Sequence, residues 1–176
     1  MAPLYSQLTS DVALCKMALL PLNTKFKGPA GVGDGSADVI DDAINFFRLN
    51  VYHRQYDANN TTDRVIIYLT LYITECLKKA KKCNDKNELV KELNALAISK
   101  FDIPGDSSFP LTAYYAKPTS SSEAEKCKLY VQQLRQECSA RMAEKLYDAE
   151  AGKISKWWLT FYRKKFLEQS LAPPGQ

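Results

Sequence analysis

The chain has 176 residues, of which 45% are hydrophobic and 11% aromatic, so it is long enough for one folded domain and too rich in aromatic residues for a disordered protein. Its net charge of +4 is compatible with an acidic partner but is too small to require one. The start of the chain lacks the features of a signal peptide, and its longest apolar stretch is far shorter than the roughly 20 residues of a membrane span. We therefore expect a cytoplasmic protein without membrane insertion, whose five cysteines are reduced.

The N-terminal region, residues 1–35, is predicted to be mostly irregular and to pack on the rest of the fold, because it holds an apolar run at 17–22 before a glycine-rich loop. A first helix is predicted to begin near Ser36 or Asp38, since either side chain can cap its first turn. Apolar residues recur at helical spacing along it and form one stripe. The end of this helix is not defined by the pattern and lies somewhere in 49–56.

The second predicted helix runs from Thr61 or Thr62 to about Lys82 and is apolar on nearly every side between Val65 and Leu77. A buried strand is the alternative, because valine, isoleucine, threonine and tyrosine predominate. The segment continues for more than about 15 residues without glycine or proline, and this length favours a helix. A helix that is apolar all round is expected at the centre of the fold.

A third helix is predicted from Asp85 to about Lys100, with Asp85 and Glu88 as a capping pair. The stretch that follows, 101–118, contains three prolines, and prolines at that density exclude a helix. We therefore expect an extended connecting loop. Its apolar residues are expected to anchor it on the core, namely Phe101, Ile103, Phe109 and Leu111.

Two further helices complete the prediction. The fourth and longest occupies about 122–147 and opens with Ser122 and Glu125 as a capping box. The fifth begins at Ser155 and reaches about Gln169, ahead of the prolines near the C-terminus. The predicted fold is all-α, a compact bundle of about five helices with one central helix surrounded by the others, in a single domain spanning 1–176.

Residue types typical of catalysis and metal binding do not form recognisable sets in this sequence. His53 is the only histidine, and the cysteines lack the Cys-x-x-Cys spacing of a structural zinc site. The glycine-rich loop at 31–35 precedes a helix, where backbone amides can bind phosphate, but it lacks the Lys-Ser/Thr of a P-loop and carries Asp34, which repels anions. We expect a flexible surface loop there, and a protein that is not an enzyme and has no cofactor or metal.

The C-terminal region combines basic and aromatic side chains between residues 153 and 166. Such a set is compatible with base stacking in a nucleic-acid-binding surface, with a protein–protein hot spot, or with an ordinary amphipathic helix whose basic face is solvated. The signatures of known nucleic-acid modules are absent. The candidate partner contact consists of Trp157, Arg163, Lys164 and Lys165, to which the stiff tail with Pro173 and Pro174 would add.

Several stretches, in one order from end to end, resemble the family of subunit 3 of the actin-related protein 2/3 complex. They include MALLP, FKGPA, IYLTLYITECLKK, YVQQLRQE and SKWW, which begin at residues 17, 26, 67, 130 and 155. Shorter matches lie at 103–105, 109–111 and 115–118. The glycine-rich loop at 31–35 and the serine-rich run at 119–122 depart from the pattern that we expect of this family.

The resemblance implies a mostly helical fold with one enclosed helix, and a non-catalytic structural role in a seven-subunit assembly that starts a daughter actin filament on the side of an existing one. The expected partners are the actin-related subunits, the other subunits of the complex and the actin filament. The nucleotide belongs to the actin-related subunits, so no cofactor is implied here. A helical adaptor of another cytosolic assembly and a nucleic-acid-binding module remain as alternatives.

Overall fold

The computed structural model describes residues 2–172. Its elements in chain order are the strands β1 (Ala13–Leu14) and β2 (Met17–Ala18), the helices α1 (Val39–Asn50), α2 (Thr61–Ala80), α3 (Lys86–Ile98) and α4 (Ser121–Leu146), the strands β3 (Tyr147–Asp148) and β4 (Lys153–Ile154), the helix α5 (Lys156–Leu159) and a 3₁₀ turn (Phe166–Glu168). The strands form two short antiparallel hairpins, β1–β2 and β3–β4. The prediction of a mostly helical fold with five helices is confirmed. The hairpins were not predicted.

Helix α2 lies at the centre of the fold. Sixteen of its twenty residues are buried, and α1, α3, α4, β2, α5 and the 3₁₀ turn all contact it. The hydroxyl groups of its buried threonines all have partners, because Thr70 donates to the carbonyl of Ile66 and Thr74 to that of Leu71 within the helix, and Thr62 donates to the carbonyl of Leu8. A helix rich in threonine and other β-branched residues can therefore be buried on every side without unpaired hydroxyl groups, and the predicted central helix is confirmed.

Truncation of a leucine in α2 tests this packing. Leu71 is 1% exposed, and we expect Leu71→Ala to lower the free energy of unfolding by about 3 kcal/mol, within the 2–5 kcal/mol range of buried leucine truncations. Urea denaturation followed by circular dichroism measures the change. Leu129→Ala, on the exposed side of α4, is the control and is expected to cost less than about 1 kcal/mol. Losses below about 1 kcal/mol for both Leu71→Ala and Ile73→Ala would contradict the central position of α2.

Polar side chains cap the starts of the long helices. Asp38 accepts hydrogen bonds from the amides of Ile40 and Asp41, so it and not Ser36 is the cap of α1 among the two candidates. Asp85 accepts a hydrogen bond from the amide of Glu88, so the predicted cap of α3 is confirmed. The predicted cap of α4 is wrong by two residues, because Ser120 rather than Ser122 is the cap. Three consecutive serines at 120–122 offer equivalent caps in the sequence, and only the path of the preceding loop selects among them.

The glycine-rich loop is held in place by Asn23. The side chain of Asn23 donates to the carbonyl of Ser36 at 2.6 Å and accepts from the amide of Gly35 at 3.0 Å. Gly33 passes so close to Asn23 that a Cβ atom there would overlap the amide group. The prediction of a flexible loop did not anticipate these contacts. The amides at the start of α1 are already bonded to Asp38, which argues against a phosphate site.

A buried ion-pair cluster ties α4 to the start of α1. Arg141 donates to the two carboxylate oxygens of Asp38 at 2.6 and 2.8 Å and to the carbonyl of Asn23 at 2.9 Å, and it also pairs with Asp41. Burial on its own would raise the pKa of Asp38, but the hydrogen bonds from Arg141 and from the amides of Asn23 and Asp41 outweigh it and lower that pKa below its usual value. The Asp38 carboxylate is therefore ionised at neutral pH.

A buried arginine of α4 binds the C-terminal end of α3. Arg135 in α4 is 4% exposed and donates to the carbonyls of Ala97 and Leu96 at 3.1 and 2.7 Å, and to the hydroxyl of Tyr68 at 3.2 Å. These carbonyls carry the partial negative charge of a helix C-terminus, so they serve as the counter-charge for the guanidinium group. The guanidinium carbon of Arg135 lies 4.6 Å from the ring centroid of Tyr72 and 4.6 Å from that of Phe101. Arg135 thus joins α3, α4 and the start of the proline-rich loop.

The proline-rich loop at 101–118 packs on the core as predicted. Ile103 and Phe109 are buried, and the ring of Phe109 lies parallel to that of Tyr68 with the centroids 6.3 Å apart. Phe101 and Leu111 are partly buried against the same core. Within the described part of the chain, no helix is long and apolar enough to cross a membrane.

Candidate partner-contact surface

The C-terminal segment is not the continuous helix that the sequence predicted for 155–169. Helix α5 has four residues, a series of turns follows it, and Leu167 and Glu168 in the 3₁₀ turn have positive φ angles of 53° and 60°. In a continuous helix, Phe161 and Phe166 would point about 140° apart. The break allows both rings to face the core, so the burial of aromatic side chains outweighs the helical periodicity.

Three aromatic rings fix this segment to the helices beneath it. Trp158 and Phe161 lie against Phe47 of α1, with ring centroids 6.1 and 6.0 Å apart, and Phe166 lies 5.8 Å from Tyr56. Trp158 and Phe161 are each 8% exposed and Phe166 is fully buried. The segment is therefore anchored at three points along its length, although it has little regular secondary structure.

The three consecutive cations of this segment point into solvent. Arg163, Lys164 and Lys165 are exposed, and we call them the basic edge. Arg163 donates to the hydroxyl of Tyr162 at 2.6 Å, and the ammonium of Lys164 lies 4.9 Å from the ring centroid of Tyr52. None of the ion pairs within residues 2–172 involves the basic edge, so its charge is not neutralised inside the described structure.

Trp157 in α5 is 51% exposed, in contrast to its buried neighbour Trp158. The guanidinium carbon of Arg48 lies 3.6 Å from the ring centroid of Trp157, close enough for a cation–π contact. The ring of Phe161 lies 6.5 Å from that of Trp157 and 5.9 Å from that of Tyr52, which also contacts Lys164, so Phe161 and Tyr52 connect Trp157 with the basic edge. The structure therefore brings the predicted Trp157 and the predicted cations onto one surface.

Sequence reasoning missed the contribution of α1 to this surface. Arg48 lies in the last turn of α1 and Tyr52 lies two residues beyond its end, and neither was a candidate. Arg48 and Tyr52 are four residues apart, a spacing that places side chains on the same face of a helix. An aromatic residue next to the polar face of a predicted helix is a signal that could have identified this pair. Tyr52 is 57% exposed, and Leu49 beside it is 42% exposed.

A polar clamp on α2 holds the chain beyond the 3₁₀ turn. Ser170 donates to the carboxylate of Glu75 at 2.8 Å, and Lys78 bonds to both Ser170 and Glu75 at 3.0 Å. Glu75 is the only acidic residue between Val65 and Lys82, and a lone carboxylate in a buried helix is a signal in the sequence that a polar partner is needed there. The predicted contribution of Pro173 and Pro174 falls outside the described residues.

The residues considered for catalysis are not arranged for it. The five cysteines are buried with free thiols, and burial raises the pKa of Cys15 to about 11 and that of Cys76 to about 12. These thiols remain protonated at neutral pH and are poor nucleophiles. His53 is half-buried in the turn after α1, where its amide donates to the carbonyl of Asn50. No cluster of potential metal ligands occurs among residues 2–172.

The sequence matches known proteins over nearly its whole length. A family model described as P21-Arc, ARP2/3 complex ARPC3 (21 kDa) subunit, matches residues 1–171. The chain belongs to the ARPC3 family. The family resemblance on which the sequence analysis relied is therefore confirmed, and the ARPC3 match includes both the central helix α2 and the aromatic C-terminal segment.

Individual relatives support the ARPC3 assignment. The actin-related protein 2/3 complex subunit 3 of Schizosaccharomyces pombe is 39% identical over 168 residues, which cover 95% of this chain and 96% of the relative. The subunit 3 of Dictyostelium discoideum is 41% identical over 87% of this chain and 88% of the relative. A probable subunit 3 of Caenorhabditis elegans is 39% identical over 90% of this chain and 87% of the relative.

Membership of the ARPC3 family fixes the general role of the chain. It is a non-catalytic structural subunit of the actin-related protein 2/3 complex, which takes part in actin nucleation and branching, and other subunits of that complex are its partners.

Proposed function

We propose that this ARPC3 family member acts as a cytoplasmic scaffold that seats against an actin-related subunit, and that Trp157 and the basic edge contribute to that contact. The observation that carries the proposal is the row of exposed cations Arg163, Lys164 and Lys165, which no acidic residue of the described chain neutralises. Actin-like surfaces are generally acidic. A basic row beside such a surface accelerates encounter and selects the orientation of docking.

The way in which the segment is held supports the same role. Phe161 and Phe166 anchor it on either side of the basic edge, and the bond between Ser170 and Glu75 holds its end. A segment that is already ordered loses little conformational entropy when a partner binds it. Trp157, half-exposed beside these cations, belongs to the residue types enriched in binding hot spots.

The proposal also covers the other partners, the cellular location and the domain organisation of the protein. It includes the actin filament among the partners and the actin cytoskeleton as the location, in line with the family. It excludes nucleic acid as a partner and a cofactor of the chain itself. It also takes residues 1–176 as a single domain, which the hydrophobic core shared by the four long helices supports.

Charge reversal of the basic edge tests the contact. We expect the triple variant Arg163→Glu, Lys164→Glu, Lys165→Glu to fold normally, because exposed substitutions cost about 0.5 kcal/mol or less each. It should be incorporated less into the complex, or form fewer filament branches, and the defect should be largest at low salt because screening weakens with decreasing ionic strength. Co-purification with the other subunits and microscopy of branched filaments measure the two effects.

A matched variant separates a specific contact from a general effect of charge. Lys117→Glu, Lys126→Glu, Lys128→Glu changes the net charge by the same amount at exposed positions near the start of α4. We expect this control to assemble and branch filaments like the wild type. If the basic-edge variant also behaves like the wild type, or if both variants fail equally, the basic edge is not the contact.

A further inference from the structure

Two cysteines that are far apart in the sequence meet where the β1–β2 hairpin packs on α4. The Sγ atom of Cys15 donates to the carboxylate of Glu123 at 3.7 Å and is in hydrogen-bond contact with the thiol of Cys127. Glu123 and Cys127 are four residues apart in α4, so both side chains lie on the helix face that the hairpin covers. The hairpin therefore holds two free thiols against each other, with Cys15 3% exposed and Cys127 fully buried.

The tip of this hairpin has an unfavourable backbone. The register of β1 and β2 leaves Cys15 and Lys16 as a two-residue turn, and both have positive φ angles, 51° and 67°. Such a turn favours asparagine and glycine, because a larger side chain is crowded in the left-handed region. Long hydrogen bonds hold the tip, from the amide of Ala116 to the carbonyl of Cys15 at 3.3 Å and from Arg64 to that of Lys16 at 3.5 Å. We therefore expect the tip to open locally more easily than the helices.

Local opening changes the reactivity of Cys15. In the closed hairpin, burial raises the pKa of Cys15 to about 11, and the carboxylate of Glu123 acts in the same direction. Opening removes both influences, so the pKa of Cys15 returns toward the usual value of about 8.5 for a free cysteine. The thiol is therefore protected while the hairpin is closed and can be oxidised when it opens, with a second thiol beneath it when it closes again.

We infer that Cys15 and Cys127 form a reversible redox site, in which a peroxide converts the two thiols into a disulfide that ties the β1–β2 hairpin to α4. The Cys15 thiolate attacks one oxygen of hydrogen peroxide, the O–O bond breaks, and the departing hydroxide takes a proton from solvent, which leaves Cys15 as a sulfenic acid. The sulfur of Cys127 then attacks that of Cys15, and the S–O bond breaks. The hydroxyl group leaves as water with the proton of the Cys127 thiol. The two thiols lose two electrons, and peroxide gains them.

The other three cysteines lack this combination of a thiol partner and a position at the edge of the core. Cys83 is 8% exposed, but its thiol donates to the backbone carbonyl of Lys79 at 3.3 Å. Cys76 and Cys138 are fully buried within α2 and α4. A disulfide in a reducing compartment is usually transient and redox-sensing, and exchange with a small thiol such as glutathione would reverse this one. This inference does not rest on the contact proposed for the basic edge.

Counting of free thiols after peroxide treatment of the full chain tests the inference. With maleimide labelling under denaturing conditions and intact mass measurement, we expect the number of labelled cysteines to fall from five to three, and dithiothreitol to restore all five. Peptide mapping should find Cys15 and Cys127 in one cross-linked product. The urea midpoint of unfolding should be higher for the oxidised than for the reduced chain, because the cross-link closes a loop on the order of 100 residues.

Three variants separate this site from general oxidation. Cys83→Ser is the matched control, since it removes another thiol near the surface and should still lose two labels. Cys15→Ser should lose none, and a serine hydroxyl can replace the thiol as donor to Glu123, so we expect it to fold. Cys127→Ala should leave Cys15 as a sulfenic acid that dimedone labels. Retention of all five thiols in the wild type, an equal loss in Cys15→Ser, or disulfides between chains instead of within one would overturn the inference.

Discussion

Replacing Arg141 by alanine is expected to lower the free energy of unfolding by about 3–5 kcal/mol at neutral pH. The side chain of Asp38 is 4% exposed and that of Arg141 19%, so the substitution leaves a buried carboxylate without its cation. It also removes the hydrogen bond to the carbonyl of Asn23, which orders the loop before α1. Loss of one partner of a buried pair is costly chiefly because the remaining charge stays desolvated.

The same pair predicts a pH dependence. The folded-state pKa of Asp38 is lowered, so its contribution to stability is present above the unfolded-state pKa of about 3.9 and is lost as the pH falls through the folded-state pKa. In Arg141→Ala the hydrogen bonds and the charge of Arg141 no longer lower the pKa of Asp38, so the folded variant loses less stability than the wild type when this carboxyl is protonated. The difference in stability between the wild type and the variant should therefore shrink as the pH falls below about 4.

An exposed ion pair is the control for Arg141. Lys86 and Glu144 lie 3.2 Å apart with side chains 43% and 69% exposed, and we expect Lys86→Ala to cost no more than about 1 kcal/mol. Urea denaturation of the wild type and both variants at pH 7 and at pH 3.5 measures the effects. A loss for Arg141→Ala similar to that for Lys86→Ala, or a difference from the wild type that grows as the pH falls, would contradict the assigned role.

Local signals were sufficient to predict the long helices. Asp38 and Asp85 were identified as caps because a short acidic side chain precedes an apolar periodic run. Helix α2 was placed at the centre because its apolar residues leave no polar side. These features depend on residues within one or two turns of each other, so they can be read without knowledge of the tertiary fold.

Features that depend on distant residues were not predicted. The bonds of Arg141 to Asp38 span 103 residues, and that of Arg135 to Ala97 spans 38. The sequence shows where a polar residue interrupts the apolar stripe of a helix, but it does not show which distant residue bonds to it. The C-terminal helix was predicted too long for the same reason, because the core pockets that accept Phe161 and Phe166 are formed by α1 and the segment after it.

The candidate site was predicted in part. The sequence identified Trp157 and the basic edge because these residues are close together in the chain. Arg48, Tyr52 and Lys145 join them only through the packing of α1 and α4 against α5. The contact of Trp157 and the basic edge with a partner remains a proposal, which the charge-reversal experiment addresses.

Replacing Arg135 by alanine is expected to lower the free energy of unfolding by about 3–5 kcal/mol, through two opposing effects. The substitution leaves the carbonyls of Leu96 and Ala97 and the hydroxyl of Tyr68 without their donor, at a cost of about 1–3 kcal/mol for each group that stays buried. It also removes a buried charge, whose desolvation costs several kcal/mol. The helix C-terminus and the flanking rings already offset much of that desolvation, so the unpaired groups should dominate.

Two companion variants of Arg135 separate the contributions. Arg135→Met fills most of the volume, so its loss reports the polar groups without a large cavity. Arg135→Lys keeps the charge but has a single ammonium group in place of the fork, and we expect it to restore less than half of the stability lost in the alanine variant. Denaturation in urea measures all three variants.

Hydrogen exchange gives a local readout of the same role. If Arg135 joins the end of α3 to the proline-rich loop, amides near residues 97–103 should exchange faster in Arg135→Met than in the wild type, while those of α1 should change only with global stability. An Arg135→Met variant as stable as the wild type would mean that the cost of desolvating the guanidinium group equals the stability gained from its hydrogen bonds. Uniform acceleration of exchange would mean that Arg135 stabilises the core as a whole and does not hold the end of α3 in particular.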